Sequence, residues 1–184
     1  RTSVPENSRI GRRAVMRCSV TSAGGTIAAK RRLMPLTLPW NLMFDLAKIG
    51  KGLPVADSLD QLPDSGPLVV QAPPGTGKTT LLPPAIANKV GKTIVTAPRR
   101  VAVRSAARRL AHLDGSALGQ KVGYSIRGEH KNGALVEFVT PGVLLNRLLK
   151  DPGLEGVNAV ILDEVHERQL DTDLVLAMCM EVAV

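Results

Sequence analysis

Aromatic side chains are nearly missing from this sequence: two Phe, one Trp and one Tyr make up 2% of its 184 residues. A platform of aromatic rings that stacks the bases of single-stranded nucleic acid is therefore not expected. Cysteine is almost as scarce. Cys18 and Cys179 stand far apart, which gives neither a metal-ligand spacing nor a disulfide framework, so a reducing compartment is expected. No apolar run reaches the ~18 residues that span a bilayer. The expectation is a soluble, cytoplasmic protein with no membrane partner. Acid is lacking in one region: residues 1–42 hold eight Lys/Arg and a single acid, Glu6, whereas residues 43–184 hold sixteen Lys/Arg against fifteen acids. The formal net charge of +8 thus belongs to the N-terminal stretch, and polyanion binding by the remainder has to come from local clusters.

Those 42 residues lack helical or strand periodicity over most of their length, and the expectation for 1–42 is a basic, mostly disordered extension. Three readings compete for it: an RNA-binding arm, an organellar transit peptide, and upstream sequence not normally made. The last is favoured, because ordered-looking composition sets in at Met43 (M-F-D-L-A-K-I-G). One α/β domain is then expected over 43–184, a length that buries a sizeable core but is short for two domains.

The stretch Val69–Thr80, V-V-Q-A-P-P-G-T-G-K-T-T, organises that domain. The apolar run at Leu68, Val69 and Val70 reads as a short buried strand, and the following turn delivers a helix near Lys78. Gly75 and Gly77 let consecutive N–H groups face one concavity at the positive end of that helix. Ala72, Pro73, Pro74, Gly75, Thr76, Gly77, Lys78, Thr79 and Thr80 form the expected nucleotide-binding segment. Lys78 reaches the β- and γ-phosphates, and the Thr79 hydroxyl takes one position on Mg2+. Ala72 occupies the first glycine position of the G-x-x-x-x-G-K-S/T pattern and is small enough for that turn. The bland alternative is a Gly/Pro-rich turn that binds nothing.

A short amphipathic helix is expected over Val55–Leu62, and Pro83-Pro84 predict a kink or irregular turn in the helix after the loop. Thr93–Ala97 reads as a buried strand followed by a helix from Pro98-Arg99-Arg100 to about Leu113. Arg100, Arg104 and Arg108 share one face of it, with Arg99 and Arg109 alongside. Arg99 and Arg100 follow a strand's carboxyl end, where ligands of open α/β sheets bind, while Arg104 and Arg108 read as an ordinary solvated face. Strands are expected at 122–127 and 134–140 around a polar turn at 128–133. A helix capped by Thr140 follows, then a strand at 158–162 and a last helix from about Asp173.

The strand Asn158–Leu162 delivers D-E-V-H-E-R at its carboxyl end. Asp163 is placed to hold Mg2+ opposite Thr79, and Glu164 to take the proton from a water lined up with the γ-phosphate. An acidic surface turn is the competing reading.

Taken together, A-P-P-G-T-G-K-T, T-A-P-R-R, G-Y-S-I-R, T-P-G and D-E-V-H-E-R, in this order, resemble motifs I, Ia, Ib and II of the superfamily two DEAH-box ATP-dependent RNA helicases, in particular the bacterial HrpB-like branch. The resemblance covers roughly residues 50 to 184. It implies a RecA-like P-loop NTPase domain with a mostly parallel sheet flanked by helices, ATP and Mg2+ as cofactors, and single-stranded RNA as a sequence-independent partner. It further implies that Thr96, Pro98, Arg99, Arg100, Thr140 and Gly142 lie along the nucleic-acid backbone, and that His166 couples the nucleotide site to a neighbouring domain rather than binding metal. Glu164, Lys78 and His166 are the implied catalytic group. Val165 replaces the alanine of D-E-A-H. No S-A-T and no Q-R-x-G-R-x-G-R motif follows, so the expectation is a first RecA-like domain ending before motif III, a fragment or truncated gene product that lacks its second RecA-like domain, binds ATP weakly alone and does not unwind. A DNA translocase and a non-catalytic nucleotide switch are the alternatives.

Overall fold

The computed structural model describes residues 26–30, 42–63 and 66–182. Seven strands among them join one sheet: β1 (Thr26–Lys30), β2 (Leu68–Val70), β3 (Thr93–Thr96), β4 (Val122–Ile126), β5 (Glu129–Lys131), β6 (Val136–Val139) and β7 (Ala159–Leu162), in spatial order β2-β1-β7-β3-β6-β4-β5. β7, β3, β6 and β4 are mutually parallel. β1 runs antiparallel to both its neighbours, and β5 antiparallel to β4. The helices are α1 (Leu46–Ile49), α2 (Lys78–Val90), α3 (Arg100–Asp114), α4 (Pro141–Lys150) and α5 (Leu170–Val182), with 3-10 turns at Pro54–Gln61 and Val165–Glu167.

The parallel strands are buried on both faces, which explains why β3 and β7 read as uninterrupted apolar or β-branched runs in the sequence. On one face α2 and α3 close over Val95, Phe138 and Ile161. α3 presents Val103, Ala107, Leu110 and Ala111 to that core, an i, i+4, i+7, i+8 stripe, and Gly115 ends it in the left-handed conformation at φ 80°. On the other face α4 and α5 cover Ile94, Val139, Val160 and Leu162 with Leu144, Leu148, Val175 and Cys179. The Cys179 thiol is pushed up to about 11 by burial, so it packs as a small apolar group.

Several expectations change. Within the mostly disordered extension expected, one element is described: Thr26–Lys30 is a strand inserted between β2 and β7, which leave one ladder width of unpaired backbone that a short extended segment satisfies. The remainder of the expected disordered stretch, residues 1–25 and 31–41, lies outside the described residues. The chain from Leu42 on is tied down: Phe44 N–H donates to Asn88 Oδ1 and Asn88 Nδ2 donates to Phe44 O, both at 2.8 Å. The short helix expected over 55–62 is present as a 3-10 helix, held by Val55 N–H on Thr76 O at 3.2 Å and by Lys89 Nζ on Leu62 O at 2.8 Å. α2 is helical throughout, Pro83 and Pro84 included; residues 81–87 are all buried, and core packing offsets the lost backbone bonds. The polar segment 128–133 contains β5. Thr140 occupies the N-cap position of α4 but its side chain makes no capping bond.

The Arg ridge on α3 is also not uniformly solvated. Arg104 Nε donates to Glu129 Oε2 at 3.0 Å, and the hydroxyl of buried Tyr124 donates to the other oxygen of that carboxylate. The Tyr124 hydrogen bond, then that of Arg104, holds the Glu129 carboxyl below the usual carboxylate range; the Glu129 contact pushes the Tyr124 hydroxyl above the usual tyrosine value. The depressed Glu129 pKa gives stability that is present above the unfolded carboxylate pKa and lost as pH falls through the folded one. The raised Tyr124 pKa gives stability that is complete below the unfolded tyrosine pKa and lost as pH rises through the folded one. Melting temperature followed against pH is expected to drop on both limbs, and Glu129→Gln to flatten both.

Candidate nucleotide site and nucleic-acid groove

The carboxyl ends of β2, β7, β3, β6 and β4 lie along one edge of the sheet, and the sequence motifs follow them. β2 leads into the loop at 71–77, where Gly75 and Gly77 take φ values of 76° and 93°. Gly77 has a second constraint: a Cβ there would stand 2.7 Å from Leu53 Cδ1. Thr76 is buried and its hydroxyl donates to Pro73 O at 2.8 Å, which closes the loop on itself. The Lys78 ammonium donates to Ala72 O. The residue at the first-glycine position therefore supplies the carbonyl that parks the lysine.

β7 ends at Leu162, two ladder steps from β2, or about 10 Å at the usual strand spacing. Asp163 and Thr79 bridge that interval: Thr79 Oγ1 donates to Asp163 Oδ2 at 2.5 Å. Asp163 is buried and fixed from behind, its N–H on Thr96 O at 3.3 Å and its Oδ1 accepting from Glu164 N–H at 3.1 Å. Glu164 adopts φ 56°, a left-handed conformation that costs a non-glycine residue about 1–3 kcal/mol. Its carboxylate sits 3.3 Å from His166 Nδ1 and is about half exposed.

A cleft of about 530 Å³ joins these groups. Of the expected site residues, Ala72, Pro74, Gly75, Thr76, Gly77, Lys78, Thr79, Thr80, Asp163, Glu164 and His166 line it, while Pro73 contributes only its carbonyl to the loop. Two further residues form its wall, Leu53 and Arg109. Sequence reasoning placed Arg109 on the basic ridge without assigning it to this cleft, since spacing along a helix does not say which neighbour that face meets. Thr79 and Asp163 are hard oxygen donors within bonding distance of each other. They suit Mg2+, an ion that keeps waters and phosphate oxygens as its other ligands.

A second cavity, a groove of about 800 Å³, lies beyond β3. Of the residues expected along a nucleic-acid backbone, Pro98, Arg100, Thr140 and Gly142 line it, together with Arg127 just after β4, Asn146, Arg147 and Lys150 of α4, and Gln169 and Asp171 at the start of α5. Two expected contacts are elsewhere. Thr96 is fully buried, its Oγ1 without a hydrogen-bond partner among the described residues, because the middle of a parallel sheet encloses both faces. Arg99 turns back to Glu167 of the D-E-V-H-E-R turn at 3.7 Å, an exposed pair of little energetic weight.

Comparison with known proteins agrees with this geometry. The DEAD/DEAH box helicase family matches residues 56–175. The ATP-dependent RNA helicase HrpB of Escherichia coli (strain K12) is 44% identical over 139 residues, which are 71% of this chain and 17% of that protein. Pre-mRNA-splicing factor ATP-dependent RNA helicase DEAH10 of Arabidopsis thaliana is 33% identical over 159 residues, 80% of this chain and 22% of that protein. The crystal structure of the Escherichia coli DEAH/RHA helicase HrpB superposes with a TM-score of 0.58 at 44% identity, over 61% of this chain and 15% of that one. The chain thus spans about a fifth of the length of these relatives, and the family match over 56–175 takes in the loop at 71–77 and the D-E-V-H-E-R turn. It has the RecA-like helicase fold and belongs to the DEAD/DEAH box helicase family.

Proposed function

We propose that this chain is the first RecA-like domain of a DEAH-type ATP-dependent RNA helicase, binding ATP in the cleft and the RNA backbone in the groove. One observation carries the reading: Thr79 and Asp163, delivered by two separate strand ends, meet at 2.5 Å in a cleft that Lys78 and Glu164 also line. Lys78 exchanges its bond to Ala72 O for the β- and γ-phosphates, and the loop N–H groups hold the rest of the triphosphate. Thr79 and Asp163 would hold Mg2+, which neutralises charge developing on the phosphoryl oxygens. Glu164 accepts the proton of the attacking water, and His166, on its carboxylate, links the site to the neighbouring domain. Positioning and charge do most of the work in phosphoryl transfer, so arginines from a second RecA-like domain are the expected partner for full rate. Pro98, Arg100, Thr140 and Gly142 contact phosphates, which leaves binding independent of base sequence. Among the described residues no helix is long and apolar enough to cross a membrane, and a cytoplasmic setting completes the reading.

Phosphate release from ATP, measured with single-stranded RNA, with single-stranded DNA and with neither, in the presence of a separately supplied second RecA-like domain, tests this. Stimulation by RNA above DNA is expected. Equal stimulation by DNA points to a translocase, and ATP binding without turnover in any arm points to a nucleotide switch.

A further inference from the structure

The groove does not stop at Gly142. Along α4 it continues past Asn146 to Arg147 and Lys150. At 1.5 Å per helical residue, Thr140 and Lys150 stand roughly 15 Å apart, a length over which an extended strand presents more than one phosphate.

The two cations on this extension differ in kind. Lys150 is exposed at the last turn of α4. Arg147 is anchored: Nη1 donates to Glu137 Oε2 at 3.0 Å and Nη2 to Glu137 Oε1 at 2.6 Å, a two-pronged grip on a carboxylate that is only 4% exposed. Glu137 sits inside β6, where an apolar residue would complete the core at less cost, since a buried ion pair is weak as a stabilising device. What the pair does supply is direction. Two of the five guanidinium N–H groups are used, and the other three remain on a side chain that is one-third exposed at the groove wall. His130 Nδ1, 3.8 Å from the same carboxylate, closes its outer side.

We propose that Arg147 and Lys150 grip the phosphate backbone of single-stranded RNA beyond Thr140 and Gly142, with buried Glu137 as the positioning residue that orients Arg147. The proposal rests on the reading of the groove as a nucleic-acid site and extends it along α4. Arg147 acts as a rigid fork and Lys150 as a movable point charge, so their variants leave different signatures.

Anisotropy of a fluorescent oligouridylate, titrated with the whole 184-residue chain at several KCl concentrations, separates them. Lys150→Ala is expected to lower the slope of log affinity against log salt by about 0.7, the contribution of one phosphate contact on a single strand. Arg147→Lys keeps the charge and loses the fork, so affinity falls several-fold at an unchanged slope. Glu137→Gln should lose as much as Arg147→Lys, and the double variant no more than either, the non-additivity of a unit. Because Lys150 is exposed, its variant reads the contact even if a change at Glu137 lowers the melting temperature. An unaltered slope for Lys150→Ala together with unaltered affinity for Arg147→Lys overturns the proposal, provided that Arg100→Ala weakens binding. Loss at Arg147 without loss at Glu137 removes the positioning role. Should Arg100→Ala also bind as well as the parent chain, or the parent bind no RNA, the nucleic-acid reading of the groove fails as a whole.

Discussion

Glu164→Gln is expected to reduce RNA-stimulated ATP turnover about 10²–10⁴-fold while ATP affinity stays near that of the parent chain, because the amide keeps the shape of the carboxylate but cannot accept a proton. The geometry makes the split sharp. Glu164 lines the cleft with its side chain half exposed, and its links to Asp163 run through its own backbone N–H, which the substitution retains. Equilibrium binding of a fluorescent ATP analogue and single-turnover hydrolysis, measured on the same preparation, check the two halves. Equal loss in both would mean that the side chain supports the loop rather than the chemistry. Asp163→Asn should behave differently: it touches Thr79 directly, so weaker nucleotide binding accompanies the loss of rate.

Gly123→Ala is expected to cost roughly 3 kcal/mol or more of folding stability, the upper end for overpacking, since the added methyl meets backbone rather than a yielding side chain. A Cβ on Gly123 would lie 2.3 Å from both Asn132 C and Lys131 O. The converse holds at Gly133, whose Cβ would stand 2.3 Å from Gly123 N and 2.4 Å from Val136 O. Here two stretches of main chain cross in contact, where the connection after β5 returns beneath β4 to start β6. For a domain of this size the loss corresponds to a melting temperature lower by roughly 6–12 °C. A scanning melt of Gly123→Ala beside Gly128→Ala tests the crowding argument. Gly128 has open space around its Cβ position but φ 84°, so its variant carries backbone strain without the clash and should lose less. Equal losses would assign the effect to β4 flexibility instead.

Both residues show where the sequence stops being informative. G-K-T-T after an apolar run and D-E-V-H-E-R after another are local signals; the strands they follow, β2 and β7, are legible, as is β3, because burial demands unbroken apolar or β-branched residues. β5 carried no such signal: Glu129, His130 and Lys131 are polar and mostly exposed, and they become a strand because β4 offers an unpaired edge. β1 is similar, an extended segment defined by the slot it fills between β2 and β7.

The candidate site divides along the same line. Which residues make up the proposed phosphate loop and which acids accompany it was legible in the sequence, since such a loop is built from consecutive backbone groups and needs its glycines and lysine at fixed offsets. Tertiary structure alone decided that Leu53 and Arg109 wall the cleft, that Thr96 is buried, that Arg99 faces Glu167, and that Arg147 is anchored on Glu137. The walls of the cleft and the Arg99–Glu167 pair join elements far apart in the chain, while Arg147 meets Glu137 across the neighbouring β6 and α4 only through the rotation of that helix. Such a pairing depends on strand order and helix rotation, quantities to which a run of neighbouring side chains is blind.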